Sequence, residues 1–122
     1  MTTVLVVDDE SSIVEVLTTL LEEEGYHVVS ACNGEEGLAC LARAQPEIVL
    51  CDVMMPVLDG REMCKRMQAN PLYRSIPIVL MSAISAATKL VGCNYTMFLA
   101  KPFDLEEVIT AVATLSKTSS SS

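Results

Sequence analysis

The sequence predicts an α/β protein in which helices cover both faces of a parallel sheet. Five short apolar runs alternate with segments whose apolar residues recur every three or four positions. Such runs are typical of strands buried on both faces, and alternation with helices favours parallel pairing through right-handed crossovers. Several runs end in a charged or hydroxyl residue, which a buried strand does not need. The runs are Val4–Val7, Val28–Ala31, Ile48–Cys51, Ile76–Met81 and Thr96–Ala100.

The composition of the chain limits the classes of protein to which it can belong. The chain has 122 residues, 51% of them apolar, which suits one domain with a substantial core. A net charge of −8 disfavours nucleic acid or an anionic membrane as a direct partner, because both need a basic face. No apolar run approaches the roughly 20 residues of a membrane span, and the N-terminus does not resemble a signal peptide. The five cysteines form no CxxC pair, which predicts reduced thiols in a cytoplasmic protein and no zinc site.

The first two helices have recognisable start and stop signals. Ser11 or Ser12 can cap a first helix that ends at Gly25, a good helix terminator. Asn33 can cap a second helix, which Pro46 closes. Both segments carry apolar residues at helical spacing, so each is expected to pack one face on the sheet.

The second half of the chain continues the alternation. A third helix is predicted to follow Gly60 and end near Asn70, and residues 85–92 form a weak helix rich in small residues. Asp104 can cap the last helix. We expect one domain over residues 1–117 and a disordered, serine-rich tail over residues 118–122, because the tail has no apolar residue with which to pack.

Five strands suit the smaller doubly wound order, 2-1-3-4-5, of flavodoxin-like folds. In that order strands one, three and five lie near the switch point of the sheet, where the carboxyl ends of the strands form the ligand crevice. Five polar residues then converge on one edge: Asp8, Asp9, Asp52, Ser82 and Lys101. Taken alone, Asp52 is also compatible with an acid that caps the following turn, but the convergence favours a functional site.

The chemistry of this set points to phosphoryl transfer. Carboxylates about 4 Å apart repel by roughly 4 kcal/mol per pair at an effective dielectric constant of ~20. A divalent cation relieves that repulsion, and oxygen ligands suit Mg²⁺. A carboxylate beside Mg²⁺ can act as a nucleophile that forms an aspartyl phosphate. Lys101 and Ser82 would supply a cation and a hydroxyl for the oxygens of the transferred group.

With these motifs in order, residues 3 to 116 resemble a receiver domain of two-component response regulators. The resemblance implies that Asp52 is the phosphoacceptor and takes its phosphoryl group from a phosphohistidine. The donor would be a histidine kinase or a histidine phosphotransfer protein. The motifs are Asp8-Asp9, Asp52 with Met55-Pro56 and Asp59-Gly60 behind it, Ser82-Ala83, and Lys101-Pro102-Phe103.

The same resemblance implies a set of magnesium ligands. Asp9 and Asp52 would bind Mg²⁺ directly, together with the backbone carbonyl of Met54. Asp8 would act through a metal-bound water.

Lys101 would pair with the phosphoryl group, and the Lys101–Pro102 peptide would be cis. Ser82 and Phe98 would form the switch that changes contacts with an output domain or an effector protein. The resemblance therefore implies a signalling module that promotes its own phosphotransfer and dephosphorylation, and not a turnover enzyme.

The chain also departs from the family pattern. Eighteen residues separate Ser82 from Lys101, about three fewer than a typical member has, so the fourth helix, over residues 85–92, is expected to be short or remodelled. Met54 and Ile84 are apolar where the family often has polar residues near the phosphoryl group. A water in line with phosphorus needs polar partners, so we expect slow self-dephosphorylation.

Other functions fit less well. A haloacid-dehalogenase-type phosphatase would need Asp-x-Asp on strand one and a cap domain. A nucleotide-binding domain would need a glycine-rich turn where this chain has Asp8-Asp9-Glu10-Ser11. A receiver that binds partners independently of phosphorylation usually lacks an acid or the lysine, and here all are present. This last function remains the alternative.

Overall fold

A five-stranded parallel sheet runs through the centre of the molecule in the order β2-β1-β3-β4-β5. The computed structural model describes residues 1–83 and 94–120. The predicted fold class and strand order are confirmed. The fourth strand begins two residues later than predicted, after Pro77, which has no N–H to donate to a ladder. The strands are β1 Thr3–Val7, β2 His27–Ala31, β3 Ile48–Asp52, β4 Ile78–Ala83 and β5 Met97–Lys101.

Two apolar layers cover the sheet because successive strand side chains point to opposite faces. Leu5 and Val7 face a layer formed with α2 and α3, while Val4 and Val6 face a layer formed with α1 and α4. Among the described residues, no helix combines the length and apolarity needed to cross a membrane. The helices are α1 Ser11–Glu23, α2 Gly34–Ala44, α3 Gly60–Ala69 and α4 Leu105–Ser120.

The helix starts agree only in part with the sequence predictions. Asn33 caps α2, since its Oδ1 accepts a hydrogen bond from the Glu36 N–H at 2.8 Å. Asp104 Oδ1 likewise accepts from the backbone of the last helix. The prediction for α1 is wrong, because its N-cap is Glu10 and Ser11 is already helical. The Glu10 side chain makes no capping hydrogen bond.

Two predictions concern the limits of the described ranges. The shortened fourth helix, over residues 85–92, and the position of Ile84 lie outside the described residues. The last helix, α4, reaches Ser120, beyond the expected end of the domain at residue 117. The division into a domain over 1–117 and a tail over 118–122 stays a prediction.

Candidate phosphoacceptor site

The predicted site residues lie at the carboxyl edge of the sheet. Asp8 follows β1, Asp52 is the last residue of β3, and Lys101 is the last residue of β5. Ser82 lies in β4, one residue beyond the partner of Asp52 in the ladder. Among residues 1–82 and 94–116, the buried polar or charged residues are Asp8, Asp52 and Ser82, and all three are at this edge. Burying polar groups costs free energy, so their concentration here indicates a functional site.

Lys101 joins the two buried acids. Its Nζ lies 3.1 Å from Asp8 Oδ2 and 3.1 Å from Asp52 Oδ1. The exposed carboxylate of Glu10 lies farther away, at 4.0 Å. One ammonium therefore offsets part of the charge of two carboxylates that have little contact with water.

Hydrogen bonds hold both the backbone and the side chain of Asp8. Its N–H donates to the Ala31 carbonyl at 3.1 Å, which ties the end of β1 to the end of β2. Its Oδ1 accepts from the Glu10 N–H at 3.0 Å, and its Oδ2 accepts from Lys101. The side chain is held by the protein itself, whereas Asp9 is exposed to solvent.

Asp8, Asp9 and Asp52 form a cluster that fits a hard divalent cation. Each offers a carboxylate oxygen, and these oxygens lie within 4.8 Å of one another. Three carboxylates face one lysine, so the cluster keeps an excess of negative charge. Oxygen donors and one solvent-facing side suit Mg²⁺, which keeps several waters when it binds proteins.

The environment shifts two pKa values. Burial raises the pKa of Asp52 to about 6; the Lys101 hydrogen bond opposes this rise, and the charges of Asp8 and Asp9 add to it. Burial acts to lower the pKa of Lys101, but the hydrogen bond to Asp52 and the charges of Asp52 and Asp8 outweigh it and leave the pKa raised. Lys101 is therefore a firmly held cation beside an acid that titrates just below neutral pH.

The loop between β3 and α3 approaches the phosphoacceptor closely. The Gly60 N–H donates to the Val53 carbonyl at 2.9 Å, and a Cβ on Gly60 would overlap the carbonyl oxygen of Asp52. Only glycine fits there without moving the backbone of Asp52. Met54 lies at the start of this loop, with 61% of its surface exposed. The part of its backbone carbonyl as a metal ligand stays a prediction.

Phe98 lies apart from the acidic cluster. It pairs with Leu80 in the β4–β5 ladder and packs, half-buried, against the layer formed with α2 and α3. Its ring centroid is 6.3 Å from that of Tyr95. Its part in a switch stays a prediction. The Lys101–Pro102 peptide is cis, as the resemblance implies.

Sequence reasoning missed two contacts at this edge, one of them made by Asp59, which it had named only as part of a motif. Glu10 positions Asp8 through its backbone and adds an acid near Lys101. Asp59 caps α3, where its Oδ1 accepts from the Glu62 N–H at 2.8 Å. The spacing Asp59-x-x-Glu62 is a capping-box pattern, so that second contact was available from sequence.

An open parallel α/β sheet with an acidic cluster and a lysine at its carboxyl edge is a flavodoxin-like domain with a candidate phosphoacceptor site. The chain belongs to the response regulator receiver domain family, whose model matches residues 4–113. Receiver domains are signalling modules of two-component systems, and their function is to accept a phosphoryl group on an aspartate.

Relatives differ in how much of their length this chain spans. Protein PilG of Pseudomonas aeruginosa is 34% identical over 114 residues, which cover 89% of this chain and 83% of PilG. The alkaline phosphatase synthesis transcriptional regulatory protein PhoP of Bacillus subtilis is 39% identical over 108 residues. Those residues cover 86% of this chain but 44% of PhoP, so the chain spans less than half of that relative.

Solved structures share the fold over nearly the whole chain. The chemotaxis response regulator CheY4 of Vibrio cholerae is 32% identical with a TM-score of 0.86, and the match covers 94% of this chain and 98% of CheY4. A response regulator structure from Chloroflexus aurantiacus is 35% identical with a TM-score of 0.87, covering 93% and 96% of the two chains.

Proposed function

We propose that Asp52 is the residue that accepts the phosphoryl group. The observation that carries this proposal is the position of Lys101 Nζ, 3.1 Å from both Asp52 and Asp8 at the carboxyl edge. A buried carboxylate beside a fixed cation can attack phosphorus while the cation stabilises the oxygens of the transferred group.

The step transfers a phosphoryl group from nitrogen to oxygen. An Asp52 carboxylate oxygen attacks phosphorus, the P–N bond of the phosphohistidine breaks, and a P–O bond to Asp52 forms. Lys101 contacts Asp52 Oδ1 at 3.1 Å and would hold the carboxylate in place during the attack. The buried Ser82 hydroxyl would donate to one phosphoryl oxygen and Lys101 to another.

The acidic cluster supports Mg²⁺ as the cofactor. Asp9 and Asp52 would hold the ion directly with the Met54 carbonyl, and Asp8 would act through a water. When bound, Mg²⁺ neutralises charge on the carboxylates and on the incoming phosphoryl group. Because the pKa of Asp52 is about 6, a cation at this cluster would also favour its reactive carboxylate form.

We propose a histidine kinase or a histidine phosphotransfer protein as the donor. Phosphorylation would act through Ser82 and Phe98 on an output domain or an effector protein. The transcriptional regulators PhoP and RpaA extend well beyond the region that this chain matches. The chain itself would act as a switch in the cytoplasm, without direct contact with nucleic acid or membrane, and not as a turnover enzyme.

Self-dephosphorylation is proposed to be slow. Met54 follows Asp52 by two residues, and its thioether is at best a weak hydrogen-bond acceptor that orients an attacking water poorly. The phosphorylated form would therefore last longer than in a receiver with a polar residue at this position.

Intact mass after incubation with acetyl phosphate and Mg²⁺ tests the proposal. Wild type is expected to gain one phosphoryl group, while Asp52→Asn gains none. Asp104→Asn is the matched control, because it removes an exposed acid that caps α4 and should leave the gain unchanged. A phosphoryl group retained by Asp52→Asn would contradict the assignment. No gain in wild type with any donor would favour the phosphorylation-independent interaction module instead.

A further inference from the structure

The N-terminus of α2 lies directly against the loop that follows the phosphoacceptor. The Gly34 N–H donates to the Leu58 carbonyl at 3.0 Å. A Cβ on Gly34 would lie 2.5 Å from the same oxygen and 3.1 Å from the Leu58 Cβ. Real Cβ contacts are essentially never below 3.0 Å, so any side chain at Gly34 would displace the loop by roughly 0.5 Å or more.

This loop has a conformation that its own residues do not favour. Val57 has a φ of 69°, the left-handed region that branched residues avoid, and 74% of its surface is exposed. The Leu58 N–H donates to the Pro56 carbonyl at 2.7 Å across this residue. Backbone strain of this kind persists where surrounding structure holds it. The hydrogen bond from Gly34 is one such external support.

The same loop carries the metal-binding segment of the proposed site. It leaves the sheet at Asp52, contains Met54, and is tied back where the Gly60 N–H donates to the Val53 carbonyl. The hydrogen bonds of Gly60 to Val53 and of Gly34 to Leu58 hold the two ends of a short loop that contains Met54, and a displacement at Leu58 would reach Met54 through this loop.

We propose that Gly34 is a positioning residue that sets the position of the Met54 carbonyl on the β3–α3 loop, and with it the geometry of the magnesium site, without touching the ligands. This inference rests on the proposed function, since it takes Asp52 and the Met54 carbonyl as ligands. Gly34 acts through two properties that only glycine combines here, a backbone N–H aimed at Leu58 and the absence of a Cβ.

The test compares two glycine substitutions on the same helix. Gly34→Ala places a methyl group against loop backbone, whereas Gly37→Ala places one against the Met63 and Val7 side chains at 3.0–3.1 Å. Mg²⁺ affinity is measured by calorimetry, stability by thermal unfolding without metal, and phosphorylation with acetyl phosphate. Gly34→Ala is expected to bind Mg²⁺ about 10-fold more weakly, as second-shell changes commonly do, and to phosphorylate more slowly. Gly37→Ala is expected to keep its Mg²⁺ affinity, whatever the change in its stability.

A measurement on the wild type makes the test independent of how the variants fold. In a Mg²⁺ titration followed by amide chemical shifts, the Gly34 resonance should move in step with Asp52, while Gly37 should not. Equal Mg²⁺ affinity in Gly34→Ala and wild type, or an unmoved Gly34 amide, would overturn the inference and leave the proposed function standing. Failure of wild type to bind Mg²⁺ would overturn both.

Discussion

At the scale of single residues, Asp52 carries a charge in surroundings that oppose it. Burial and two neighbouring acids favour its protonated form, and Lys101 is the nearby cation that favours the carboxylate. The balance leaves its pKa at about 6. Removal of Lys101 or of a neighbouring acid, or addition of a cation, therefore changes the protonation state of Asp52 as well as its contacts.

Lys101→Ala should slow phosphorylation by acetyl phosphate about 10²-fold or more, because the phosphoryl oxygens lose a fixed cation. The rate is measured by intact mass at a fixed Mg²⁺ concentration. Lys65→Ala, on the exposed face of α3, is the matched control and should react like wild type. An equal rate in Lys101→Ala and wild type would remove Lys101 from the mechanism.

Met54→Asn should shorten the lifetime of the phosphorylated form, since an amide can orient the attacking water where a thioether cannot. Loss of the phosphoryl group is followed by mass after the donor is removed. Leu72→Asn, which changes an exposed apolar residue after α3, should leave the lifetime unchanged. If Met54→Asn loses its phosphoryl group no faster than wild type, the apolar residue is not the cause of slow loss.

At the scale of elements, helix starts hold the loops around the site. Asn33 caps α2 beside Gly34, and Asp59 caps α3 beside Gly60, so each of these caps adjoins a glycine that contacts the phosphoacceptor loop. A cap fixes the first turn of its helix, and through that turn it fixes the position of the glycine.

Asn33→Ala should lower the free energy of unfolding by about 1 kcal/mol, because the Glu36 N–H loses its acceptor. For a domain of this size that corresponds to a melting temperature lower by about 3–5 °C. Ser12→Ala is the control from a second helix start, since no side chain caps α1. Equal destabilisation by both substitutions would show that the Asn33 cap makes no specific contribution to the free energy of unfolding.

At the scale of the whole molecule, acidic charge is in excess, and part of it lies at the carboxyl edge of the sheet. The net charge is −8, and three of the acids lie within one cluster. Binding of a cation to the folded state alone stabilises it by mass action, and here it also relieves repulsion between carboxylates. Stability should therefore depend on both Mg²⁺ and pH.

Millimolar Mg²⁺ should raise the melting temperature, and by more at about pH 7.5 than at about pH 5. The folded pKa of Asp52 is about 6, above its ordinary value of 3.8. Without metal, binding of a proton to Asp52 therefore stabilises the folded state. This stabilisation is complete below about pH 3.8 and is lost as pH rises through about 6. At low pH the proton competes with the metal, and near neutral pH the metal replaces it. Thermal unfolding at both pH values, with and without Mg²⁺, checks this.

Two controls separate the site from general charge effects. Asp52→Asn should respond less to Mg²⁺, and its response should depend less on pH. Sodium chloride at matched ionic strength should not reproduce the effect, because salt screens the charges without being coordinated by the carboxylates as Mg²⁺ would be. A Mg²⁺ effect that is identical at both pH values would show that Asp52 does not titrate in this range.

The sequence by itself determined the strand order, the edge of the sheet at which the polar residues meet, and the family. The first two follow from the number and periodicity of the apolar runs and from the residue that ends each strand, which a parallel topology brings together. The family follows from the motifs that resemble a receiver domain. Only the tertiary structure decided which oxygens Lys101 contacts, how far the pKa of Asp52 rises, and that Glu10 rather than a serine is the N-cap of α1. It alone showed that Gly34 and Gly60 leave room for the phosphoacceptor loop. Such features depend on distances of a few ångströms between residues remote in the chain, and side-chain spacing along a sequence does not encode them.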